Sequence, residues 1–404
     1  MSQDTGQDDS RAQRPLDGVR VLDVSRVVSG PFASRMLCDL GADVVKVEPP
    51  RGDETHAYGL KRAGLSGAFI QHNVGKSNVC IDLKTTEGKE LLLRLAEVSD
   101  VMVENFRPGV LDRLGVGWSV LSSRNPGLIL LSITGFGQDG PGRDRKAYAP
   151  VIHAETGLIA RQAHFDARPP SDPMPSVADT NAALHGVIAT LAALHMRTRT
   201  GTGQHIDIAM TDAMLTTDDY SHHALDGFPI VRVGGDVWDA VGGQVLTAGL
   251  FEVIWPLMDA AYSAELDVPE DAPDPTAARM NAVRQWIAAF TDRDELERAF
   301  DAAGVPWAAV RPPMEVFDSD WALARRTFGE IDDRAGGTRR VTQSPYRFSD
   351  AVSGLVPRIA YRGEDNTRAL RQWLGMTATD VDELSAAGVL QRGPVPEGAG
   401  ADDD

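Results

Sequence analysis

The stretch that decides the fold is residues 15–50, PLDGVRVLDVSRVVSGPFASRMLCDLGADVVKVEPP. Val19–Val24 is a short apolar run rich in β-branched residues, which reads as a buried strand. Ser29-Gly30-Pro31 then opens a helix, since proline is tolerated in a first turn. Phe32, Ala33, Met36, Leu37 and Leu40 fall on one face of it, and Gly41 closes it. Ala42–Val47 is a second apolar run. Strand, helix and strand at this spacing form a crossover unit, the building block of a parallel sheet.

Outward from that unit the pattern repeats. A helix is expected from about Thr86 to Val98, followed by strands at Asp100–Val103 and Leu128–Ile133. Helical period returns from Asp179 to about Arg197 through Ala183, Leu184, Val187, Ile188, Leu191 and Leu194. A Thr200-Gly201-Thr202-Gly203 turn then leads to the strand His205–Ala209. The fold class is therefore α/β with a parallel sheet. After Leu225 the character changes: Gly234-Gly235, Gly242-Gly243 and the Pro/Asp stretch Val268–Pro275 suggest a second, loop-rich domain. Ala308–Val310 reads as a strand of that domain, and Glu364–Leu390 is largely helical again. The ends, Met1–Arg14 and Gly393–Asp404, are polar and acidic and read as disordered tails.

Composition narrows the function. No run of 18 apolar residues occurs and the start is polar, so neither a signal peptide nor a membrane span is expected and the cytoplasm is the expected compartment. Cys38 and Cys80 are too few to frame a chain of 404 residues with disulfides. A net charge of −18 argues against nucleic acid or an anionic membrane as partner. The excess is not uniform. Residues 1–150 carry 19 Lys+Arg against 19 Asp+Glu, and residues 151–404 carry 21 against 39. All six lysines precede residue 150. A locally neutral N-terminal region in an acidic chain suits an anionic ligand there.

Two nucleotide signatures fail. Gly135-Phe136-Gly137-Gln138-Asp139-Gly140 has the G-x-G-x-x-G spacing and follows a strand, but Pro141 and Gly142 come next and no helix opens on the last glycine. Gly75-Lys76-Ser77 resembles the end of a P-loop, but Ile70 stands where its first glycine belongs. Ligands of open α/β sheets lie beyond the carboxyl ends of the strands. Those ends are Ser25–Ser29, Glu48–Arg51, Asn105-Phe106-Arg107 and Gly135–Gly137. Each of Arg26, Arg51 and Arg107 alone reads as a solvated loop charge; together with Phe106 they suit a nucleotide with phosphates. Asp179, just before the apolar helix, reads first as a helix cap. The same position stabilises a carboxylate anion, so a functional role stays open. The histidines, His153 among them, show no metal-ligand spacing and read as structural.

Taken together, these segments resemble the class III coenzyme A transferases, the family of formyl-CoA transferase and carnitine CoA-transferase that also includes α-methylacyl-CoA racemases. The resemblance spans about residues 15–390. Beyond the opening stretch it rests on NVGKSNVCIDLKTTEGK (73–89), DVMVENFRPG (100–109), GFGQDGP (135–141), ADTNAALHG (178–186) and RTRTGTGQHIDIAMTDAML (197–215). GVPWAAVRPPMEV (304–316) and GEDNTRALRQWLGMT (363–377) extend it.

The resemblance implies a Rossmann-like large domain built from both chain ends (residues 15–225 and 336–392), a smaller α+β domain (226–335) and an interlocked homodimer. It implies coenzyme A, with an acyl-CoA and a carboxylic acid as substrates, and no permanently bound cofactor or metal. Coenzyme A would contact Val27, Val28, Ser29, Ile81, Lys84, Asn105, Phe106, Arg113 and Lys146. Gly137 and Tyr148 would lie beside the thioester, with Asp179 as the covalent carrier. Backbone N–H groups near Gly137 or Gly242-Gly243 would hold an oxyanion. Three departures stand out. Ala183 replaces a common glycine and is expected to crowd the site. Thr247-Ala248-Gly249-Leu250 replaces Thr-Ala-Asp-Gly in a shortened middle domain. Tyr148 stands where racemases carry a histidine, which favours transferase over racemase. An inactive coenzyme A-binding member is the third reading.

Overall fold

The computed structural model describes residues 13–228 and 234–393, so most of both expected tails lies outside the described residues. The chain forms two compact units, one from residues up to Ser221 and from Arg325 on, the other from His222–Ala324. In the larger unit six strands form one parallel sheet: β1 Arg20–Asp23, β2 Asp43–Glu48, β3 Ser77–Cys80, β4 Val101–Glu104, β5 Ile129–Thr134 and β6 His205–Ala209. Their order is β3-β2-β1-β4-β5-β6, the doubly wound arrangement that reverses direction between β1 and β4.

Alternation along the strands builds two cores. Val21, Val44, Val101, Val103, Ile129, Leu131 and Ile133 face one side, where they meet residues of helices Ser29–Asp39 and Val177–Thr200. Leu22, Val45, Val79, Met102, Leu128 and Leu130 face the other, where helices Thr86–Glu97 and Asn366–Leu374 pack. Both faces are covered, which is why these strands are apolar on both sides.

Strand β3 had no expectation from the sequence, because two of its four residues, Ser77 and Asn78, are polar. Both are buried with distant partners: Asn78 N–H donates to Asp365 Oδ2 at 2.9 Å, and Arg368 Nη2 donates to Ser77 Oγ at 2.7 Å. Cys80 N–H donates to Asn366 Oδ1 at 2.9 Å, so the returning C-terminal segment shields the sheet edge. The boundary expected at residue 335 also moves. The hairpin Phe328–Asp332/Thr338–Thr342 belongs to the larger unit, because Ile331 and Val341 are buried against Phe69 and Ile70.

Helix Val177–Thr200 is long and apolar enough to cross a membrane by length and composition alone. One face, with Ala178, Ala182, Ala183, Val187 and Ala193, is buried against the sheet, while Leu184, Ile188, Leu191 and Met196 on the other are exposed. The smaller unit has its own core, with Trp238, Val245, Ile254, Met258, Trp286 and Phe300 gathered between helices and a three-stranded sheet. Gly242-Gly243 lies at the tip of that sheet's hairpin Gly235–Ala240/Gly243–Ala248.

Candidate active site

Residues 24–29 connect β1 to its helix, and their path is tightly constrained. A Cβ on Gly30 would lie 2.2 Å from Ser25 Cβ, so only glycine fits. Val27 has φ 66°, a left-handed conformation that costs a β-branched residue on the order of 1–3 kcal/mol. Two side chains hold it there. Asn105 Oδ1 accepts from Arg26 N–H at 2.8 Å, and its Nδ2 donates to Arg26 O at 2.7 Å and to Ser29 Oγ at 3.1 Å. Asp53 accepts the Val27 N–H at 3.2 Å.

Beneath this loop lies a buried ionic network. Lys76 Nζ donates to Asp23 Oδ2 at 2.8 Å, to Pro31 O at 2.9 Å and to Asn73 Oδ1 at 2.9 Å. Lys46 Nζ bonds Ser25 O at 2.8 Å and pairs with Asp53 at 3.1 Å. Burial alone would raise the Asp23 carboxyl, but the adjacent Lys76 and Lys46 ammonium groups hold it well below the usual carboxylate range. With every charge paired and hydrogen-bonded, the network keeps the loop in one conformation.

Asp179 is not the helix cap that its position suggests. Ser176 occupies that place, and Asp179 is the third residue of helix Val177–Thr200. Its side chain points across to the start of helix Ser29–Asp39. Burial pushes its carboxyl up to about 6, with the nearby Ser29 hydroxyl acting the other way. At neutral pH it is therefore largely ionised but more basic than an ordinary aspartate, which favours nucleophilic attack.

Asp179 lines a cleft of about 350 Å³ at the carboxyl ends of β1, β4 and β5. Val27, Ser29, Asn105, Phe106, Lys146 and Tyr148 line it too, as do Arg26, Arg51, Arg107, Arg143 and Arg145. Against these cations stand Asp179 and Glu54, so the cleft suits an anionic ligand. Glu104, buried at the end of β4, accepts the Phe106 N–H at 2.7 Å; burial raises it to about 7. A second, more apolar cleft adjoins the first through Arg26, Arg51 and Phe106. Its walls include Val24, Pro49, Pro50, Val110 and Leu114, with Lys84 and Arg113 at the edge.

Several expectations meet a different arrangement. Ile81 is fully buried among core residues, so only its backbone can face a ligand. Val28 is half-buried and lines neither cleft. Gly137 also lines neither, and its N–H already donates to Thr134 Oγ1 at 3.0 Å, which removes it as a ready oxyanion donor. Ala183 is buried in the core and lines neither cleft.

The family model for CoA-transferase family III matches residues 16–366. The chain belongs to CoA-transferase family III. It is 31% identical to succinyl-CoA–D-citramalate CoA-transferase of Chloroflexus aurantiacus, over 94% of this chain and 99% of that protein. It is 30% identical to formyl-CoA:oxalate CoA-transferase of Streptomyces avermitilis, over 93% of this chain and all of that one (100%). Among solved structures, a CAIB/BAIF family protein from Brucella suis aligns with a TM-score of 0.77 at 31% identity, covering 89% of this chain and 99% of that one.

Within this family III chain, sequence reasoning placed Gly135 at a ligand-facing strand end but passed over Arg143 and Arg145 of the cleft and His153 behind it. Arg143 and Arg145 belong to the run Arg143-Asp144-Arg145-Lys146, a basic signal that was visible after the glycine-rich turn. Gly135 lines the cleft where a Cβ would come 2.3 Å from Ala147 Cβ, a close approach that no spacing rule reveals. His153 bonds the start of the Asp179 helix, and nothing in its neighbours signals that. Among the described residues, no group of three or more His, Cys, Asp or Glu side chains is gathered to hold a metal ion.

Proposed function

We propose that the protein transfers coenzyme A from an acyl-CoA to a carboxylic acid, with Asp179 as covalent carrier. The observation that carries the reading is a buried-edge carboxylate of raised basicity in a cation-lined cleft at the switch point of a doubly wound sheet. Family membership supports it, as do relatives whose names describe transfer of coenzyme A between acids.

The reaction balances without any other reagent. An Asp179 oxygen attacks the thioester carbonyl, the C–S bond breaks, and a mixed anhydride and coenzyme A thiolate result. The thiolate attacks the Asp179 carbonyl, releases the first acid as its carboxylate and leaves an aspartyl thioester. The incoming carboxylate attacks that thioester, expelling the thiolate and forming a new anhydride. Attack of the thiolate on the new acyl carbonyl gives the product acyl-CoA and restores Asp179. Two easier exchanges replace one hard one.

On this reading the first cleft takes the thioester and phosphates, near Asn105, Lys146 and Tyr148, and the second takes the nucleotide end between its apolar walls and Lys84 and Arg113. Val27, Ser29 and Phe106 contact the chain between. Val28, Ile81 and Gly137 contribute through their backbone at most. The large unit is Rossmann-like and drawn from both chain ends, and two chains interlock as a homodimer. Sedimentation should therefore give about twice the 43.5 kDa chain mass. The activity is tested by mixing acyl-CoA donors with candidate acids and following the new thioester. A screen in which no acid acquires coenzyme A, despite tight binding of the donor, would favour a binding protein instead.

A further inference from the structure

The first N–H groups of a helix have no partner within it. In some helices of this chain they are met by the helix's own cap: Thr85 accepts from Gly88 N–H, and Thr377 from Asp380 N–H. The helix that carries Asp179 has no such cap but a partner from elsewhere in the chain. Its cap residue, Ser176, makes no side-chain bond, and the Ala178 N–H donates instead to His153 Nε2 at 3.2 Å. His153 lies on another helix, Ala149–Glu155, and is completely buried. Its Nδ1 is 2.8 Å from Asp172 Oδ1.

These contacts fix the ring. A backbone N–H can only donate, so Nε2 carries the lone pair and Nδ1 carries the proton that goes to Asp172. The imidazole is held at both ends, and its acceptor end grips the residue next to Asp179. It also ties together two sides of the cleft, since the cap of its own helix is Tyr148.

We propose that His153, oriented by Asp172, is a positioning residue that sets the place of Asp179 by anchoring the Ala178 N–H. It touches no substrate; it acts through the first turn of the helix. The proposal rests on Asp179 being the nucleophile. Attack needs the carboxylate oxygen within about 3–3.5 Å of the thioester carbon, and a shift of about 1 Å can cost about 100-fold in rate. A change in the anchor is therefore expected in kcat rather than in acyl-CoA binding.

The test compares wild type with His153→Leu, His153→Gln, Asp172→Ala and Asp179→Asn, measuring kcat, KM and the rate at which hydroxylamine captures the acylated enzyme. His153→Leu fills the space without an acceptor and should lower kcat and capture rate about 10- to 100-fold, with KM for acyl-CoA changed less than about threefold. Glutamine can accept from Ala178 N–H and donate to Asp172, so His153→Gln should recover most of the loss. Asp172→Ala, at a partly exposed site, should lower kcat by about three- to tenfold. A folded His153→Leu with wild-type kcat, or a glutamine variant no faster than leucine, overturns the proposal. Should the leucine variant fail to fold, a wild-type kcat in Asp172→Ala overturns it. An active Asp179→Asn would remove the underlying reading, whereas an inactive one beside a fully active His153→Leu removes only this inference.

Discussion

The hydroxyl of Ser29 and the carboxylate of Asp179 meet where two helix starts converge, and Ser29 is itself held by Asn105 at 3.1 Å. The contact joins the switch-point loop to the long helix. The Ser29 hydroxyl counters the effect of burial on the Asp179 carboxyl. Its removal should therefore be read directly in the ionisation of that group.

Ser29→Ala is expected to raise the Asp179 pKa further above about 6. The acid limb of kcat/KM should move to higher pH, with activity at pH 7 reduced about three- to tenfold and partly recovered at pH 8.5. A pH–rate series on both proteins checks this; an unmoved limb would mean that the hydroxyl does not act on the carboxylate.

In wild type the acid limb should fall near pH 6, because only the ionised carboxylate attacks. Glu104, at the end of β4 and raised to about 7, is another group in this range. Glu104→Gln should leave the limb in place if Asp179 is its source. Stability carries the same signature. The folded carboxyl keeps its proton to about pH 6, whereas the unfolded one loses it near 3.8, so stability falls as pH rises through that window. Asp179→Asn should consequently exceed wild type in stability above pH 6, by on the order of 1–3 kcal/mol, and match it near pH 4. Denaturant melts at the two pH values test the difference.

Lys84 and Lys146 edge different clefts and are both exposed. Lys84→Ala/Lys146→Ala should weaken coenzyme A binding about tenfold or more at low salt, with a smaller effect at high salt. Calorimetric titration measures it. Equal affinity of the double variant and wild type would move the ligand away from these clefts.

The Asp23–Lys76 pair should be far more sensitive than any surface bridge. Lys76→Met leaves the buried Asp23 carboxylate without its nearest cation, and a loss of about 3–5 kcal/mol is expected. Removing the exposed Arg124–Glu90 bridge by Arg124→Ala should change stability hardly at all. Denaturant unfolding of both variants checks the contrast.

What the sequence revealed, and what it concealed, follows from how far each signal reaches along the chain. The unit from β1 to β2 was legible because its apolar residues keep the periods of strand and helix and Gly41 closes the helix. Helix Val177–Thr200 was legible for the same reason. Strand β3 was hidden because its polar Ser77 and Asn78 are satisfied by Arg368 and Asp365, partners that no local pattern can announce. The boundary expected at residue 335 cut through the hairpin Phe328–Asp332/Thr338–Thr342, since its packing against Phe69 and Ile70 is a tertiary fact. At the site, the four strand ends could be aligned on paper. The anchoring of Ala178 by His153, however, joins two helices whose sequences look unremarkable, and Asp179 read as a cap because acids are common there.

The central claim is that Asp179 becomes covalently acylated. The enzyme would be incubated with a cognate acyl-CoA and hydroxylamine, without acceptor acid, and digested for peptide mass analysis. The account expects a hydroxamate on Asp179 in wild type and none in Asp179→Asn, which should still bind coenzyme A. In deuterated water the same mixture should show no enzyme-dependent exchange at the α-carbon. Rapid α-exchange with Asp179 unmodified would contradict the account and make the aspartate a base rather than a carrier.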